Sequence, residues 1–188
     1  MPKVKTSKEQ VLNKVIPFIR KRGIANTSMA DLAKECEIQK SHFYYYFDNK
    51  DALVKEVLAT TNSYFSYNMN KILANETLNT ANKLKGIEQL LSKLFTNKHE
   101  GCVMANTALE AAYYNPIYFD EVAKFFDCFI NALKQLLSSN YGKKESIELA
   151  EQIVQDIEGG ILLMKVYQDQ RYLFNAIKRM RKTICLEK

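Results

Sequence analysis

The sequence predicts an all-α protein, on three observations. Glycine and proline are scarce, at 6 and 3 residues in 188, which disfavours a turn-rich β architecture. Apolar residues recur at helical spacing over long stretches. Hydrophobic residues make up 47% of the chain, enough to bury a sizeable core. We therefore expect two helical domains, a small one over residues 1–50 and a larger one over residues 51–188.

A first amphipathic helix is predicted between Ser7 and Gly23. Its apolar positions are Val11, Leu12, Val15, Phe18 and Ile19. Pro17 lies inside this stretch, where it removes the hydrogen bond to the carbonyl of Asn13. A kink or a late helix start is therefore expected.

Two short helices joined by a tight turn follow. Ser28 and Asp31 have the spacing of a capping box, which predicts the start of the second helix. The turn is predicted at residues 36–38 and the third helix at residues 39–47. This arrangement is a helix-turn-helix. If the backbone at Glu37 in the turn is left-handed, that conformation costs on the order of 1 kcal/mol, because Glu37 is not a glycine.

The larger domain is predicted to be entirely helical. A long helix should run from Asp51 to about Ala74. Further helices are predicted near 83–97, 102–114, 117–139, 145–168 and 170–184. The last two carry long apolar stripes, with Gly159-Gly160 permitting close approach.

Positive charge is concentrated at the N-terminal end. Residues 1–55 carry 11 Lys/Arg and 6 Asp/Glu, a net charge of +5, whereas the remainder carries 16 and 15. A basic head on a nearly neutral body is typical of polyanion binding, although a solvated lysine-rich tail would give the same balance.

Several other classes of protein find little support. The chain has no glycine-rich phosphate loop, HExxH motif or nucleophile elbow, and only His42 and His99 supply imidazoles, so we expect neither an enzyme nor a cofactor. The sequence contains no apolar run long enough to cross a membrane, and we expect a cytoplasmic protein. The four cysteines are too far apart for a zinc-knuckle pattern and imply no disulfide framework.

The third helix carries side chains suited to a DNA groove. At 100° per residue, Phe43 and Phe47 share one side and Ser41 and Tyr45 the opposite side. The outward-facing residues are Gln39, Lys40, Ser41, His42, Tyr44 and Tyr45. Such side chains pair with base edges, and tyrosine hydroxyls and Lys50 reach phosphates. Alternatively, the three consecutive tyrosines are aromatics that pack on the body.

The first 58 residues resemble the TetR family of regulators. Residues 27–33, Thr-Ser-Met-Ala-Asp-Leu-Ala, are similar to its Thr-Thr-x-x-Asp-Ile-Ala. Residues 40–53 are similar to its Lys-Gly-x-Leu-Tyr-His-His-Phe-x-x-Lys-Glu-x-Leu, although Ser41 replaces the usual glycine. The resemblance implies that Thr27 or Ser28, Tyr44 and Lys50 hold phosphates, and that residues 39–42 approach bases of double-stranded operator DNA.

The resemblance also implies a homodimer formed through the last two helices and a ligand cavity in the body. A ligand would move the helix that starts near Asp51 and so change the spacing of the two heads. The effector is expected to be a flat or apolar small molecule. The candidate ligand residues, each of which could equally be core or surface, are Tyr64, Phe65, Phe95, Asn106, Glu110, Tyr113, Phe126 and Gln155.

Cys102 offers an alternative form of sensing. The segment from Gly101 to Glu110 resembles a Gly-Cys-x-x-x-Asn-x-x-x-Glu pattern in one branch of the family. A thiol near a helix N-terminus, with Lys165 nearby, would suit a redox or electrophile sensor. The other interpretation is a small buried hydrophobe. A helical adaptor that docks acidic proteins also stays open, as does activation in place of repression.

Overall fold

The structure is a computed structural model that describes residues 6–96, 100–111 and 116–185. This part of the chain is helical and contains no strand, which confirms the all-α prediction. The helices are α1 (Lys8–Arg22), α2 (Met29–Glu35), α3 (Lys40–Tyr46), α4 (Lys50–Leu73), α5 (Thr80–Phe95), α6 (Val103–Ala111), α7 (Phe119–Leu137), α8 (Lys143–Tyr167) and α9 (Arg171–Cys185), with a 3₁₀ turn at Pro116–Tyr118 before α7.

Local signals set the ends of α1. The Ser7 hydroxyl accepts a hydrogen bond from the backbone N–H of Gln10, and the Gln10 side chain accepts one from the backbone of Ser7. The expected late start is wrong, because this capping box begins the helix ahead of Pro17, which lies exposed in the helix interior. The helix ends at Gly23, whose φ of 80° is readily adopted only by glycine.

The helix-turn-helix forms as predicted. Ser28 and Asp31 make the reciprocal capping box of α2. The chain then reverses at Glu37, whose φ of 58° is left-handed. Gln39 and Phe47 flank α3 as its cap residues. A side-chain capping box therefore fixes the start of α2, whereas α3 begins at Gln39 without a side-chain cap.

The chain divides into two compact units, Met1–Thr61 with Val103–Val122 and Asn62–Cys102 with Ala123–Lys188. These units cut across the predicted division at residue 50, because α6 belongs with the N-terminal helices. The core of the first unit includes Val15, Leu32, Phe43 and Leu53. Whether residues 1–50 act as a domain of their own stays a prediction.

In the second unit, α8 packs against α9. A Cβ atom on Gly160 would lie 3.0 Å from the carbonyl oxygen of Tyr172, so glycine permits the close approach of the two helices. Phe65 is fully buried between Phe125 and Phe129, with ring centroids 4.4 and 5.4 Å away. None of the described helices is long and apolar enough to span a membrane.

Candidate DNA-binding surface

Helix α3 has one buried and one exposed side. Phe43 is fully buried and Phe47 nearly so, with their rings 5.5 Å apart. On the other side Tyr45 is 81% exposed and Tyr44 is 41% exposed. We call the exposed set the recognition surface; it consists of Gln39, Lys40, Ser41, Tyr44 and Tyr45, with His42 partly exposed beside them. The two phenylalanines thus share the buried side of α3, as the helical spacing predicts.

Contacts within α3 order the recognition surface. The Lys40 ammonium lies 5.9 Å from the centre of the Tyr44 ring, one turn further along the helix. The imidazole of His42 lies 5.2 Å from the ring of Tyr46. The surface therefore presents a cation, a hydroxyl and an imidazole close together, a combination suited to phosphates and base edges.

Tyr46 is a supporting residue that the sequence analysis did not single out. Its ring is partly buried, and its hydroxyl donates a hydrogen bond to the carbonyl oxygen of Thr6. This bond ties the segment before α1 to the end of α3. Its partner lies 40 residues away in the chain, so no local pattern could have indicated it.

The two candidate phosphate-binding hydroxyls differ in exposure. Thr27 is only 2% exposed, and its hydroxyl donates to the carbonyl oxygen of Gly23 at 2.7 Å. Ser28 is exposed and shares hydrogen bonds with Asp31, which lower the pKa of that carboxyl below its usual value. Because Thr27 is buried and its hydroxyl is already bonded, Ser28 is the better placed of the two to contact a phosphate. Lys50 is partly exposed at the first position of α4.

Glu110, a predicted ligand residue, supports the helix-turn-helix instead. Its Oε2 atom accepts a hydrogen bond from the backbone N–H of Ala25 at 2.8 Å, within the turn between α1 and α2. A Cβ atom on Gly23 would lie 2.3 Å from the Oε1 atom of Glu110. This contact, which we call the α6 latch, fixes α6 against the turn that precedes the Ser28 cap.

The structure brings some of the other predicted ligand residues together. Phe65 and Phe126 both contact Phe125 in the second unit, at centroid distances of 4.4 and 5.3 Å. Phe95 is buried in the same unit, whereas Gln155 is exposed.

Three candidates lie apart from that aromatic cluster or cannot be placed. The half-exposed Tyr64 accepts a hydrogen bond from Lys93 at 3.2 Å. Asn106 is partly buried in the first unit, and Tyr113 lies outside the described residues.

Cys102 is buried, and its thiol hydrogen-bonds the carboxylate of Glu158 on α8. Burial raises the pKa of Glu158 to about 7, although the bond from Cys102 acts to lower it. From the sequence, Glu158 is a polar residue on an otherwise apolar stretch, which could orient a ligand or lie exposed. It lies between the buried Ile157 and the Gly159-Gly160 pair.

A basic three-helix head with an exposed, ordered third helix defines a helix-turn-helix DNA-binding protein. Residues 18–57 match the model described as bacterial regulatory proteins, tetR family. Residues 81–179, more than half of the chain, match the transcriptional regulator LmrA/YxaF-like C-terminal domain. The chain belongs to the TetR family of transcriptional regulators and binds DNA through its helix-turn-helix. Members of this family bind operator DNA and form dimers.

Individual relatives agree with this placement. An uncharacterised HTH-type transcriptional regulator of Lactococcus lactis subsp. lactis is 26% identical over 174 residues, which cover 90% of this chain and 89% of the relative. The IcaR negative transcriptional regulator of the Staphylococcus epidermidis biofilm operon is 23% identical, over 64% of this chain and 69% of its own. A crystal structure of a TetR regulator from Legionella pneumophila has a TM-score of 0.87 at 25% identity, covering 96% and 98% of the two chains.

Proposed function

We propose that this protein is a repressor that binds an inverted-repeat operator and leaves it when a small molecule binds its second unit. The recognition surface of α3 carries this proposal, because its polar groups are exposed while Phe43 and Phe47 fix the helix from behind. Two relatives are named as negative regulators: IcaR, and the DhaR repressor of a Mycobacterium species, which is 19% identical over 88% of this chain. The protein would act in the cytoplasm, where the DNA is.

The proposal requires a homodimer built on α8 and α9. Most of the apolar stripe predicted on these helices is core, but several large apolar residues stay exposed. They are Leu162, Leu163, Val166, Tyr167 and Phe174. A contiguous exposed apolar face is typical of a protein interface. Two heads related by two-fold symmetry would read an inverted repeat, which one short helix could not specify.

Release would be a shift between two populations of the dimer. An effector that binds one arrangement of the body more tightly favours that arrangement by its difference in affinity. In the arrangement that binds the effector weakly, the two helix-turn-helix units fit successive major grooves of the operator. In the arrangement that the effector favours, they do not. Crystals of the free and effector-bound protein that show the same head spacing would contradict this mechanism.

The first test is selection of bound duplexes from a random pool. We expect enrichment of an inverted repeat. The double variant Tyr44→Phe, Lys40→Ala should lose at least about tenfold in affinity for that repeat, since a good contact to a base edge is worth about 1–3 kcal/mol. Lys144→Ala is the matched control, because it removes a lysine that is 91% exposed on α8.

A salt titration completes the test. Binding to the selected repeat should weaken with salt, with a slope of roughly −0.9 for each phosphate contact. Failure to enrich any sequence, with the protein folded and dimeric, would overturn the specific-repressor proposal. Equal loss of binding in the Lys144→Ala control would show that total charge, and not the recognition surface, determines affinity.

A further inference from the structure

Two carboxylates of the second unit, Glu88 and Asp156, are paired with arginines. Glu88 is buried, and both of its oxygens accept hydrogen bonds from Arg181, one of them at 2.8 Å from Nε. Asp156 receives two hydrogen bonds from Arg179, at 2.7 and 2.6 Å. These fork-shaped pairs satisfy both carboxylate oxygens. They show how this unit accommodates a carboxylate whose role is structural.

Glu158 is accommodated differently. Its Oε1 atom is withdrawn from solvent and has no hydrogen-bond partner among the described residues. Its carboxylate contacts the buried thiol of Cys102, which is a weak donor. Lys165 lies two turns further along the same face of α8, but its ammonium does not satisfy Oε1. One oxygen of a buried carboxylate is thus left without the donor that it requires.

A buried carboxylate oxygen without a hydrogen-bond donor lowers the stability of the folded state, and native proteins seldom contain one. Leaving a buried acceptor unsatisfied costs about 1–3 kcal/mol, and more for a charged group. A group of this kind calls for a specific explanation, such as a bound water or a ligand. The raised pKa of Glu158, about 7, agrees with a carboxylate that lacks a compensating positive charge.

The missing partner can be specified from the chemistry of the site. A carboxylate oxygen accepts hydrogen bonds, so the partner must donate, and a positive charge would also offset the burial of the negative one. Of the four residues one turn away on α8, Val154 and Ile161 are apolar and buried, Leu162 is apolar and exposed, and Gln155 is exposed. An inorganic cation or a strongly hydrated one fits such surroundings poorly, whereas an apolar molecule with a single cationic head fits both features.

We propose that Glu158, with Cys102 beside it, is the polar anchor of an effector site for apolar organic cations that carry N–H donors, such as amidinium or ammonium compounds. The cationic head donates to Oε1, and Cys102 keeps its bond to the carboxylate. This inference rests on the proposed function, since it names the chemical class of the effector.

The test uses the full-length protein without DNA and two probes of the same shape and opposite charge. The probes are biphenyl-4-carboxamidinium and biphenyl-4-carboxylate, with binding measured by isothermal titration calorimetry. We expect the amidinium to bind and the carboxylate to bind at least about tenfold more weakly. Glu158→Gln should weaken amidinium binding by about tenfold or more, as expected for hydrogen bonds to a charged group.

Two further variants make the result interpretable. Glu151→Gln removes an exposed carboxylate two turns earlier on α8 and should leave binding unchanged. Glu158→Asp keeps the charge and should retain part of the affinity for the amidinium. If Glu158→Gln weakened binding only by disturbing the fold, this dependence on charge would not be seen. No amidinium binding to the natural protein, or equal binding to Glu158→Gln, would overturn the proposal and leave a buried water as the partner of Oε1.

Because the calorimetry is done without DNA, effector binding and operator binding are measured independently. If the duplex selection succeeds and the amidinium does not bind, the repressor assignment stands and the effector class is wrong. If the amidinium binds through Glu158 and no operator is enriched, the site is real and its regulatory role fails.

Discussion

At the scale of single residues, Glu158 should make the stability of the protein depend on pH. Its folded pKa of about 7 lies above the ordinary value of 4.5, so the folded state holds the proton more tightly than the unfolded state. The stabilisation is complete below pH 4.5 and is lost as the pH rises through 7. Between pH 5 and pH 8 the loss should be on the order of 2 kcal/mol.

Urea unfolding of the natural protein and of Glu158→Gln, at pH 5 and pH 8 and at one protein concentration, measures this difference. The variant should gain about 2 kcal/mol relative to the natural protein on going from pH 5 to pH 8. Glu151→Gln, an exposed carboxylate on the same helix, should show no such gain. Parallel pH dependence in all three proteins would mean that Glu158 titrates normally.

Contacts between residues close in sequence were predictable, whereas contacts between distant parts of the chain were not. The Ser28–Asp31 capping box follows from the spacing of two residues three positions apart. The carboxylate of Glu110 bonds the backbone 85 residues away. No periodicity encodes such a contact, so Glu110 was assigned to a ligand site when its described contact is with a turn.

At the scale of elements, the α6 latch should couple α6 to the turn before α2. Glu110→Ala removes the acceptor of the Ala25 N–H and should lower the free energy of unfolding by about 1 kcal/mol. Gly23→Ala should cost about 1–3 kcal/mol, because its backbone conformation is nearly restricted to glycine and the new Cβ meets the Glu110 carboxylate.

The double variant tests whether these two effects are one interaction. Without Glu110 the Cβ of Ala at position 23 no longer meets the carboxylate, so Gly23→Ala should cost less in the Glu110→Ala background than alone, while its backbone strain persists. Urea unfolding gives the coupling free energy. Effects that add to within about 0.5 kcal/mol would show that the latch is not energetically significant. Glu148→Ala, exposed on α8, is the control for loss of a carboxylate.

Prediction of the elements succeeded because helices are local, whereas the grouping of helices is not. Periodicity located each described helix to within a few residues, including the long α4 and α8. The same periodicity could not show that α6 belongs with the N-terminal helices, since an apolar stripe does not identify the face that will cover it. It likewise could not separate the core residues of α8 and α9 from those left at the surface.

At the scale of the whole molecule, the exposed apolar residues of α8 and α9 should decide the oligomeric state. Leu162 and Val166 are 56% and 61% exposed and lie one turn apart on α8. Glutamate at both positions would bury two negative charges in a dimer interface, which is strongly unfavourable. We expect Leu162→Glu, Val166→Glu to be a folded monomer by size-exclusion chromatography with light scattering.

The same variant should distinguish the affinity for one half-site from the affinity for the full operator. A monomer keeps its recognition surface but loses the second head, so its affinity for the selected inverted repeat should fall by at least about a hundredfold, towards that for a single half-site. Leu109→Glu is the matched control, because Leu109 is 77% exposed on α6 and its replacement should leave the dimer intact. A double variant that stays dimeric, or a monomer that binds the full repeat undiminished, would show that α8 does not build the DNA-binding assembly and that the two heads are brought together by another face.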